Sequence, residues 1–297
     1  MSCLEIGLLT RNPNSWCSSR LIKAFSANRV KPFPFSFREI SVYLGIEERF
    51  YVRGLDLAER VSAILVRPIG RGSLEEIIFQ LDVLHALRDH GIPIVNSPDA
   101  IEVAANKYRI LSMLKLKDLP VPESIATEDI SEASNYFSKL GGDVLVKPIF
   151  GSRGVGISRI RDQDLADRIF RTLRFYRHVL LLQRFIPHGT SDVRAFIVGE
   201  SVIAAMRRRG DTWRTNISQG ARAEPLELSG EMEELALKAA GAVGCEIAGV
   251  DLLEGPEGIK ILEVNSQPGW RGLQSVAKVD IAGEIAKYMI QKGKGTV

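Results

Sequence analysis

The stretch ILEVNSQPG, residues 261–269, carries two polar side chains on an otherwise apolar strand and then ends it with a proline and a glycine. Successive side chains of a strand point to opposite faces. Glu263 and Asn265 therefore share one face, while Leu262 and Val264 share the other. A carboxylate and an amide side by side on one strand face are typical of ligands for a hard metal ion.

The residues just upstream predict the partner of this strand. Residues 247–265 contain a glycine- and proline-rich turn between two apolar runs, which indicates an antiparallel hairpin. A turn centred near Glu257 places Asp251 directly opposite Glu263. Asp251, Glu263 and Asn265 would then form a set of oxygen donors that suits Mg²⁺ or Mn²⁺ better than zinc. The alternative is a solvated hairpin face with ordinary surface acids.

The composition sets broad limits. A chain of 297 residues can hold two or three packed domains, and the net charge of +3 is too small to indicate nucleic-acid binding. Cys3, Cys17 and Cys245 lack metal-site spacing, which favours a reducing compartment, and we expect the cytoplasm. There is no signal-peptide pattern and no long apolar run, so we expect no membrane association.

The order of apolar segments predicts an α/β fold, mixed with α+β elements in its later part. Residues 4–95 alternate strands with amphipathic helices, as in a parallel sheet, but they lack a dinucleotide or P-loop glycine motif. We place domain boundaries so that the three units span 1–97, 98–182 and 183–297.

A glycine-rich loop after a buried-type strand predicts a phosphate-binding site. In VLVKPIFGSRGVGI, residues 144–157, Lys147 supplies a fixed positive charge. Glycines let the backbone approach a polyanion and offer it N–H groups. The loop residues concerned are Gly151, Ser152, Gly154 and Gly156. A glycine-rich hairpin without a ligand is the alternative, but a lysine within an apolar run usually has an anionic partner.

The segment that links the second and third units is a natural place for a nucleotide. Within LLLQRFIPHGTSDVRAF, residues 180–196, backbone groups at Arg184, Phe185 and Ile186 could pair with an adenine edge. Asp192 could accept hydrogen bonds from ribose hydroxyls. Its alternative is a cap of a turn or helix.

Arginines are dense between this linker and the metal hairpin. A run of arginines is usually a solvated face, but guanidinium groups also bind carboxylates and phosphates in a bidentate way. The cluster consists of Arg207, Arg208, Arg209, Arg214 and Arg222.

Taken in order, these motifs resemble the RimK-like glutamate ligases of the ATP-grasp superfamily. The resemblance covers about residues 95–290. It is carried by Lys107 in NK, Lys147 in VLVKP, the loop GSRGVG, QRFI from Gln183 to Ile186, Asp192 with Arg194, WRTN at 213–216, AGVDLL at 248–253 and EVNSQPG at 263–269.

The resemblance implies an ATP-grasp fold with an N-terminal Rossmann-like domain, a central lid and a C-terminal domain with the metal hairpin. It implies that Asp251, Glu263 and Asn265 hold two Mg²⁺ or Mn²⁺ ions, with Glu263 bridging. It further implies that Lys107 and Lys147 hold the ATP phosphates and that Asp192 holds the ribose. The stretch from Arg214 through Thr215 to Asn216 would lie on the phosphate and substrate side.

The reaction implied is ATP-dependent ligation of L-glutamate to a carboxylate through an acyl phosphate, with ADP released. Arg214 and Arg222 are candidates to stabilise the tetrahedral oxyanion. Members that modify a ribosomal protein typically carry SNLHRGG where this chain has TNISQGA, residues 215–221, and Ala221 replaces a glycine. The resemblance favours a small pterin coenzyme as acceptor, with a deazaflavin or a protein C-terminus as alternatives. We expect a homo-oligomer. A nucleotide-binding regulatory module is the rival from another class, against which the intact set of metal ligands argues.

Overall fold

The structure is a computed structural model that describes residues 4–70, 72–152 and 154–295. Cys3 and Arg153 lie outside the described residues. Within these ranges the strands form four sheets. None of the described helices combines the length and the apolar character needed to cross a bilayer.

The first unit is built on a parallel sheet with the strand order β2-β1-β6-β7, which confirms the parallel arrangement predicted from the sequence. Its elements are β1 (Glu5–Leu9), α1 (Trp16–Ala27), β2 (Lys31–Phe35), β3 (Ile40–Leu44), β4 (Glu48–Val52), β5 (Leu55–Asp56), α2 (Leu57–Arg60), β6 (Ala63–Val66), α3 (Leu74–Asp89) and β7 (Ile94–Val95). The carboxyl ends of parallel strands meet at one edge of a sheet, where ligands of such folds usually bind.

An antiparallel sheet of β3, β4 and β5 interrupts this pattern, and the sequence alternation did not predict it. It buries Ile40, Phe50 and Val52 against the same core as α3. Its strands are short and mostly half-exposed, so they lack the continuous apolar run of the parallel strands.

The second unit contains an antiparallel sheet with the order β10-β9-β11-β8. Its region comprises α4 (Pro98–Ala105), α5 (Lys107–Leu116), β8 (Ser124–Thr127), α6 (Ile130–Lys139), β9 (Val144–Lys147), β10 (Ser158–Ile160), α7 (Gln163–Phe175) and β11 (Leu180–Arg184). Helices α6 and α7 cover the sheet through Phe137 and Phe170, which are buried with Val146 and Leu182.

The third unit is a five-stranded antiparallel sheet with the order β14-β13-β12-β15-β16. Its elements are β12 (Ser191–Val198), β13 (Ser201–Arg209), β14 (Arg222–Pro225), α8 (Gly230–Val243), β15 (Ile247–Gly255), β16 (Gly258–Asn265), α9 (Arg271–Gln274) and α10 (Ile281–Gly293). Helix α8 packs on one face of the sheet together with α4 and α5, while α10 packs on α1. The boundaries at 97/98 and 182/183 remain our proposal.

The hairpin of β15 and β16 has the predicted pairing. Asp251 lies opposite Glu263, and Gly249 lies opposite Asn265. The turn itself is tighter than a centre at Glu257 implies, because Gly255 pairs with Gly258. An irregularity between Asp251 and Leu252 leaves Leu262 without a partner, and this extra residue restores the predicted register.

Candidate active site

Three oxygen-bearing side chains share one face of the hairpin. Glu263 lies directly opposite Asp251, and Asn265 lies two pairs along the ladder, opposite Gly249. The other face carries Val250 and Val264, which are fully buried in the core formed with α8. The alternation of polar and apolar residues therefore gives the hairpin two different faces. One face packs in the core, and the other carries the candidate metal ligands.

The Asp251 carboxylate is already engaged by two arginines. Arg194 of β12 donates from Nε and Nη2 to its two oxygens at 2.6 and 2.7 Å. Arg208 of β13 lies 3.0 Å from Asp251 and forms a bidentate pair with Asp192, at 2.7 and 2.5 Å. Thr215 adds a hydrogen bond to Asp192 at 2.6 Å. These residues form a buried ion network across the three central strands.

The network sets the charge of its members. Burial alone would raise the pKa of the Asp251 carboxyl, but the Arg194 and Arg208 guanidiniums hold that pKa below its ordinary value. Burial would lower the pKa of Arg208, but Asp251 and Asp192 raise it. The Asp251 carboxyl therefore stays ionised, and Arg208 stays protonated.

The predicted phosphate residues meet the metal face in one small cavity. Lys107 Nζ lies 3.7 Å from Glu263 Oε1 and donates to the Gly151 carbonyl at 2.7 Å. The glycine loop reaches across to the third unit, because a Cβ on Gly154 would lie 2.4 Å from Asn216 Oδ1. The residues lining the cavity are Lys107, Gly151, Ser152, Gly154, Val155, Ile157, Asn216 and Glu263.

Lys147 occupies a half-buried position on β9. Its ammonium donates to Gln183 Oε1 at 2.5 Å, and Gln183 in turn donates to Ser124. Burial lowers the pKa of Lys147 to about 8; the Glu263 carboxylate opposes this shift and the Lys107 ammonium adds to it. A cation held with only neutral hydrogen-bond partners is well suited to receive an anionic ligand.

The predicted adenine residues Arg184, Phe185 and Ile186 lie at a separate cavity of about 200 Å³ between the linker and the hairpin tip. Arg184, Phe185 and Ile186 line it, together with Pro256 and Lys260. Arg184 is exposed and pairs with Glu123 and Glu257. The linker and the hairpin tip therefore line one cavity, which shares no lining residue with the small cavity at Glu263, and adenine binding there stays a prediction.

Other predicted residues lie apart from these cavities. Asp192 is 4% exposed, and both of its oxygens are occupied by Arg208 and Thr215, so its contact with a ribose stays a prediction. Arg214 is exposed and packs over the Trp213 ring at 4.5 Å. Arg222 is exposed at the start of β14, and its oxyanion role likewise stays a prediction. Gly156, at φ +81°, completes the loop beside Pro148.

Two residues of this site were not assigned a role from the sequence. Arg194 belonged to the family motif but was given no function. Arg208 was described only as part of an arginine run, and such runs are usually solvated. Arg208 is in fact 2% exposed, whereas its neighbours Arg207 and Arg209 pair with the exposed acids Glu254 and Glu224. Period-two alternation along β13 is the signal that separates the middle arginine from its neighbours.

The donor set fits a divalent cation of the magnesium type. Among the described residues, no group of three or more His, Cys, Asp or Glu side chains is placed to hold a metal. The candidate ligands are instead two carboxylates and one amide, which are hard oxygen donors. Asn265 donates its amide N–H to the Gly249 carbonyl at 3.2 Å. Asp251 could take part only by sharing or exchanging its contacts with Arg194.

A model of the RimK-like ATP-grasp domain matches residues 104–289, which is most of the chain. The chain belongs to the RimK-like ATP-grasp family. The match spans both lysines, the glycine loop and all three candidate metal ligands, so the residues gathered in the site lie within the family domain.

Curated relatives extend over nearly the whole chain. The tetrahydromethanopterin:α-L-glutamate ligase of Methanocaldococcus jannaschii is 39% identical over 255 residues, 84% of each chain. The enzyme of the same name from Methanococcus maripaludis is 32% identical and covers 98% of this chain and 99% of its own. A probable α-L-glutamate ligase of Rhodopirellula baltica is 30% identical over 96% of this chain and 71% of its own.

Solved structures show the same fold. The ATP-grasp ligase PsnB, complexed with minimal precursor, Mg and ADP, has a TM-score of 0.76 at 24% identity and covers 98% of each chain. The RimK domain protein ATP-grasp of Sphaerobacter thermophilus has a TM-score of 0.74 at 22% identity and covers 96% of this chain and 98% of its own. The predicted fold class, an ATP-grasp fold of mixed α/β type, is thereby confirmed.

Proposed function

We propose that this chain is an ADP-forming ligase that joins L-glutamate, through its amine, to a carboxylate of a small pterin coenzyme of the tetrahydromethanopterin type. The observation that carries the proposal is the convergence of Lys107, the glycine loop and Glu263 on one cavity beside Asp251. Glutamate and the pterin are supported by the names of the relatives that are 32–39% identical.

The cofactors proposed are ATP and two Mg²⁺ or Mn²⁺ ions held by Asp251, Glu263 and Asn265. Bound divalent cations would neutralise the charge between phosphates and orient them for transfer. The support from this chain is the hard-oxygen donor set on one hairpin face. A solved relative of the same fold was complexed with Mg and ADP.

The chain's own residues would act through charge and through exclusion of water. Lys107 and Lys147 are proposed to supply positive charge to the phosphate oxygens. Gly151, Ser152, Gly154 and Gly156 would cover the phosphates with backbone N–H groups. Because an acyl phosphate hydrolyses, the contact of this loop with Asn216 supports a closed site from which water is excluded.

The reaction has two halves, and we assign the arginines to the second. The γ-phosphoryl group passes to the acceptor carboxylate and gives an acyl phosphate and ADP, and the glutamate amine then displaces phosphate. We assign stabilisation of the tetrahedral oxyanion to Arg214 or Arg222, with the partly buried Arg194 as a further candidate. Gln183, Arg184, Phe185 and Ile186 are proposed to hold adenine, and Asp192, Thr215 and Asn216 to lie at the ribose and phosphate side.

An acceptor labelled with heavy oxygen at its carboxylate tests the mechanism. Transfer of the γ-phosphoryl group predicts one labelled oxygen in the released phosphate, together with ADP. Formation of AMP and pyrophosphate would refute it. A panel of pterin, deazaflavin and peptide acceptors, analysed by mass spectrometry, tests the substrate separately. No acceptor-dependent ADP release from any of them would favour a regulatory nucleotide-binding module.

The setting of the enzyme is also part of the proposal. We propose a cytoplasmic homo-oligomer that acts without nucleic acid or a membrane. The described cysteines, Cys17 and Cys245, are free thiols, and the net charge of +3 gives no strong field for nucleic acid.

A further inference from the structure

A buried guanidinium at the carboxyl ends of the parallel strands has only neutral partners. Arg67 directly follows β6 and is 5% exposed. Its Nη2 donates to the Pro268 carbonyl at 2.9 Å, and the Cys17 thiol lies beside the guanidinium. Its Nε has no partner among the described residues. A buried cation without a counter-charge is costly, and an anion that arrives there relieves the cost.

The surroundings of Arg67 are positive. Cys17 lies in the first turn of α1, a helix whose first turn carries no acidic residue and whose N-terminus bears a partial positive charge. The Ser15 side chain caps this helix by accepting from the Ser18 N–H. Helix N-termini and buried arginines are both favoured binding partners for carboxylates and phosphates.

Two more arginines belong to the elements around Arg67: Arg20 lies in α1, and Arg11 follows β1. Arg20 lies 4.5 Å from the centre of the Trp16 ring, and Trp16 meets Trp270 edge-on at 6.4 Å. Arg67 lies 4.7 Å from the centre of the Trp270 ring. Arg11 packs so closely on Gly70 that a Cβ there would lie 2.2 Å from its Nη1. We call the group of Arg11, Arg20, Arg67 and the first turn of α1 the cationic corner.

The cationic corner adjoins the end of the metal strand. Pro268 and Trp270, which contact Arg67, follow the candidate ligand Asn265 by three and five residues. The corner also lies at the carboxyl edge of the parallel sheet, because Arg67 follows β6 and Arg11 follows β1. A substrate that reaches the metal face could therefore place a second group in the corner.

We propose that the cationic corner binds a substrate carboxylate that does not itself react. This inference rests on the proposed function, under which both substrates are acids. Glutamate reacts through its amine and keeps two free carboxylates, and the acceptor would need a second carboxylate besides the one that reacts. The shared chemistry is an oxyanion that forms charge-assisted hydrogen bonds with Arg67 at the N-terminus of α1.

Cys17→Asp tests this by placing a carboxylate beside Arg67, with Cys17→Asn as the uncharged variant of the same shape. The aspartate would pair with Arg67 and complement the helix N-terminus, so Cys17→Asp should unfold at a temperature no lower than Cys17→Asn. It should also fill the corner. Compared with Cys17→Asn, we expect the KM for one substrate to rise about tenfold or more while kcat changes little.

The two sources of the carboxylate are separated by measuring both constants. A rise in KM for glutamate alone assigns the corner to glutamate, and a rise for the pterin acceptor alone assigns it to the acceptor. Equal KM values for both substrates in Cys17→Asp and Cys17→Asn, with both proteins folded, would overturn the proposal. So would a Cys17→Asp protein that is less stable than Cys17→Asn.

Glutarate gives a readout that does not depend on the reaction. We expect this dicarboxylate to protect Cys17→Asn against thermal unfolding in a saturable way and to protect Cys17→Asp much less. Equal protection of the two variants would refute carboxylate binding at the cationic corner, even if ligase activity were intact. If no acceptor released ADP but glutarate distinguished the variants, the proposed function would fail and the corner would stand.

Discussion

Arg194 grips both carboxylate oxygens of Asp251, at 2.6 and 2.7 Å, from the neighbouring strand of the sheet. A candidate metal ligand is thus paired with a guanidinium. Arg194 both stabilises the buried carboxylate and competes for its lone pairs, and these two roles make opposite contributions to metal binding.

Arg194→Gln should separate the two roles. Loss of the bidentate partner leaves a buried carboxylate with Arg208 alone, and we expect the free energy of unfolding to fall by about 2–3 kcal/mol in urea denaturation. Mg²⁺ should restore more stability in this variant than in the wild type, because the ion supplies the missing charge. Arg207→Gln, which breaks an exposed pair with Glu254, should cost less than about 1 kcal/mol. An Arg194→Gln protein insensitive to Mg²⁺ would contradict the metal assignment of Asp251.

Glu263→Gln keeps the shape of the side chain and removes its charge. We expect turnover to be lost with the fold retained, since Glu263 is the proposed bridging ligand and lies on the open face of the hairpin. Circular dichroism and ADP release measure the two properties. Full activity at saturating Mg²⁺ would sink the assignment.

The affinity for ATP should depend on pH through Lys147. Its pKa of about 8 means that the ammonium is charged below pH 8 and loses its proton as the pH rises through that value. Bound phosphates favour the charged form, so nucleotide affinity should be constant below about pH 8 and fall above it. Calorimetric titrations from pH 7 to 10 measure this, and Lys147→Arg should remove the fall.

The control for the same side chain is a lysine outside the site. Lys147→Ala should weaken ATP binding, whereas Lys139→Ala, at the end of α6, should not. Equal affinities in these two variants would place the phosphate-binding residue elsewhere.

Gly154→Ala tests the closed loop against a glycine of matched conformation. Gly154 and Gly54 have φ values of +72° and +75°, so alanine should strain both to a similar degree, at about 1 kcal/mol. Only at Gly154 would the new Cβ meet Asn216, at 2.4 Å, while at Gly54 it meets nothing within 4 Å. We expect reduced turnover in Gly154→Ala alone. Comparable loss in both variants would point to backbone strain instead.

The sequence could predict what depends on alternation within one hairpin. Asp251 faces Glu263 because the strand period is two and the turn is marked by glycine and proline, although Leu262 as an extra residue was needed to correct for the tighter turn. The burial of Arg208 could not be predicted in this way. Its partners, Asp192 and Asp251, come from two other strands, and only the sheet order β13-β12-β15 brings them together.

The antiparallel sheet of β3, β4 and β5 is a second feature that the sequence did not predict. Its strands bury only a few residues each against a core that belongs mainly to other elements, such as Phe50 against the α3 side. Local patterning is weak wherever burial is supplied by distant parts of the chain.

Asn96, at the end of β7, is joined to both legs of the metal hairpin. Its side-chain oxygen accepts from the N–H groups of Glu246 and Ile247, and its amide donates to the carbonyls of Ile247 and Ser266. One side-chain amide from the first hundred residues therefore connects the start of β15 to the residue that follows β16. A chimaera that took its first 97 residues from another member of the family would take this contact with the ends of the hairpin from the donor. The N-terminal part of this chain therefore helps to position the strands that carry the candidate metal ligands and is not an exchangeable attachment.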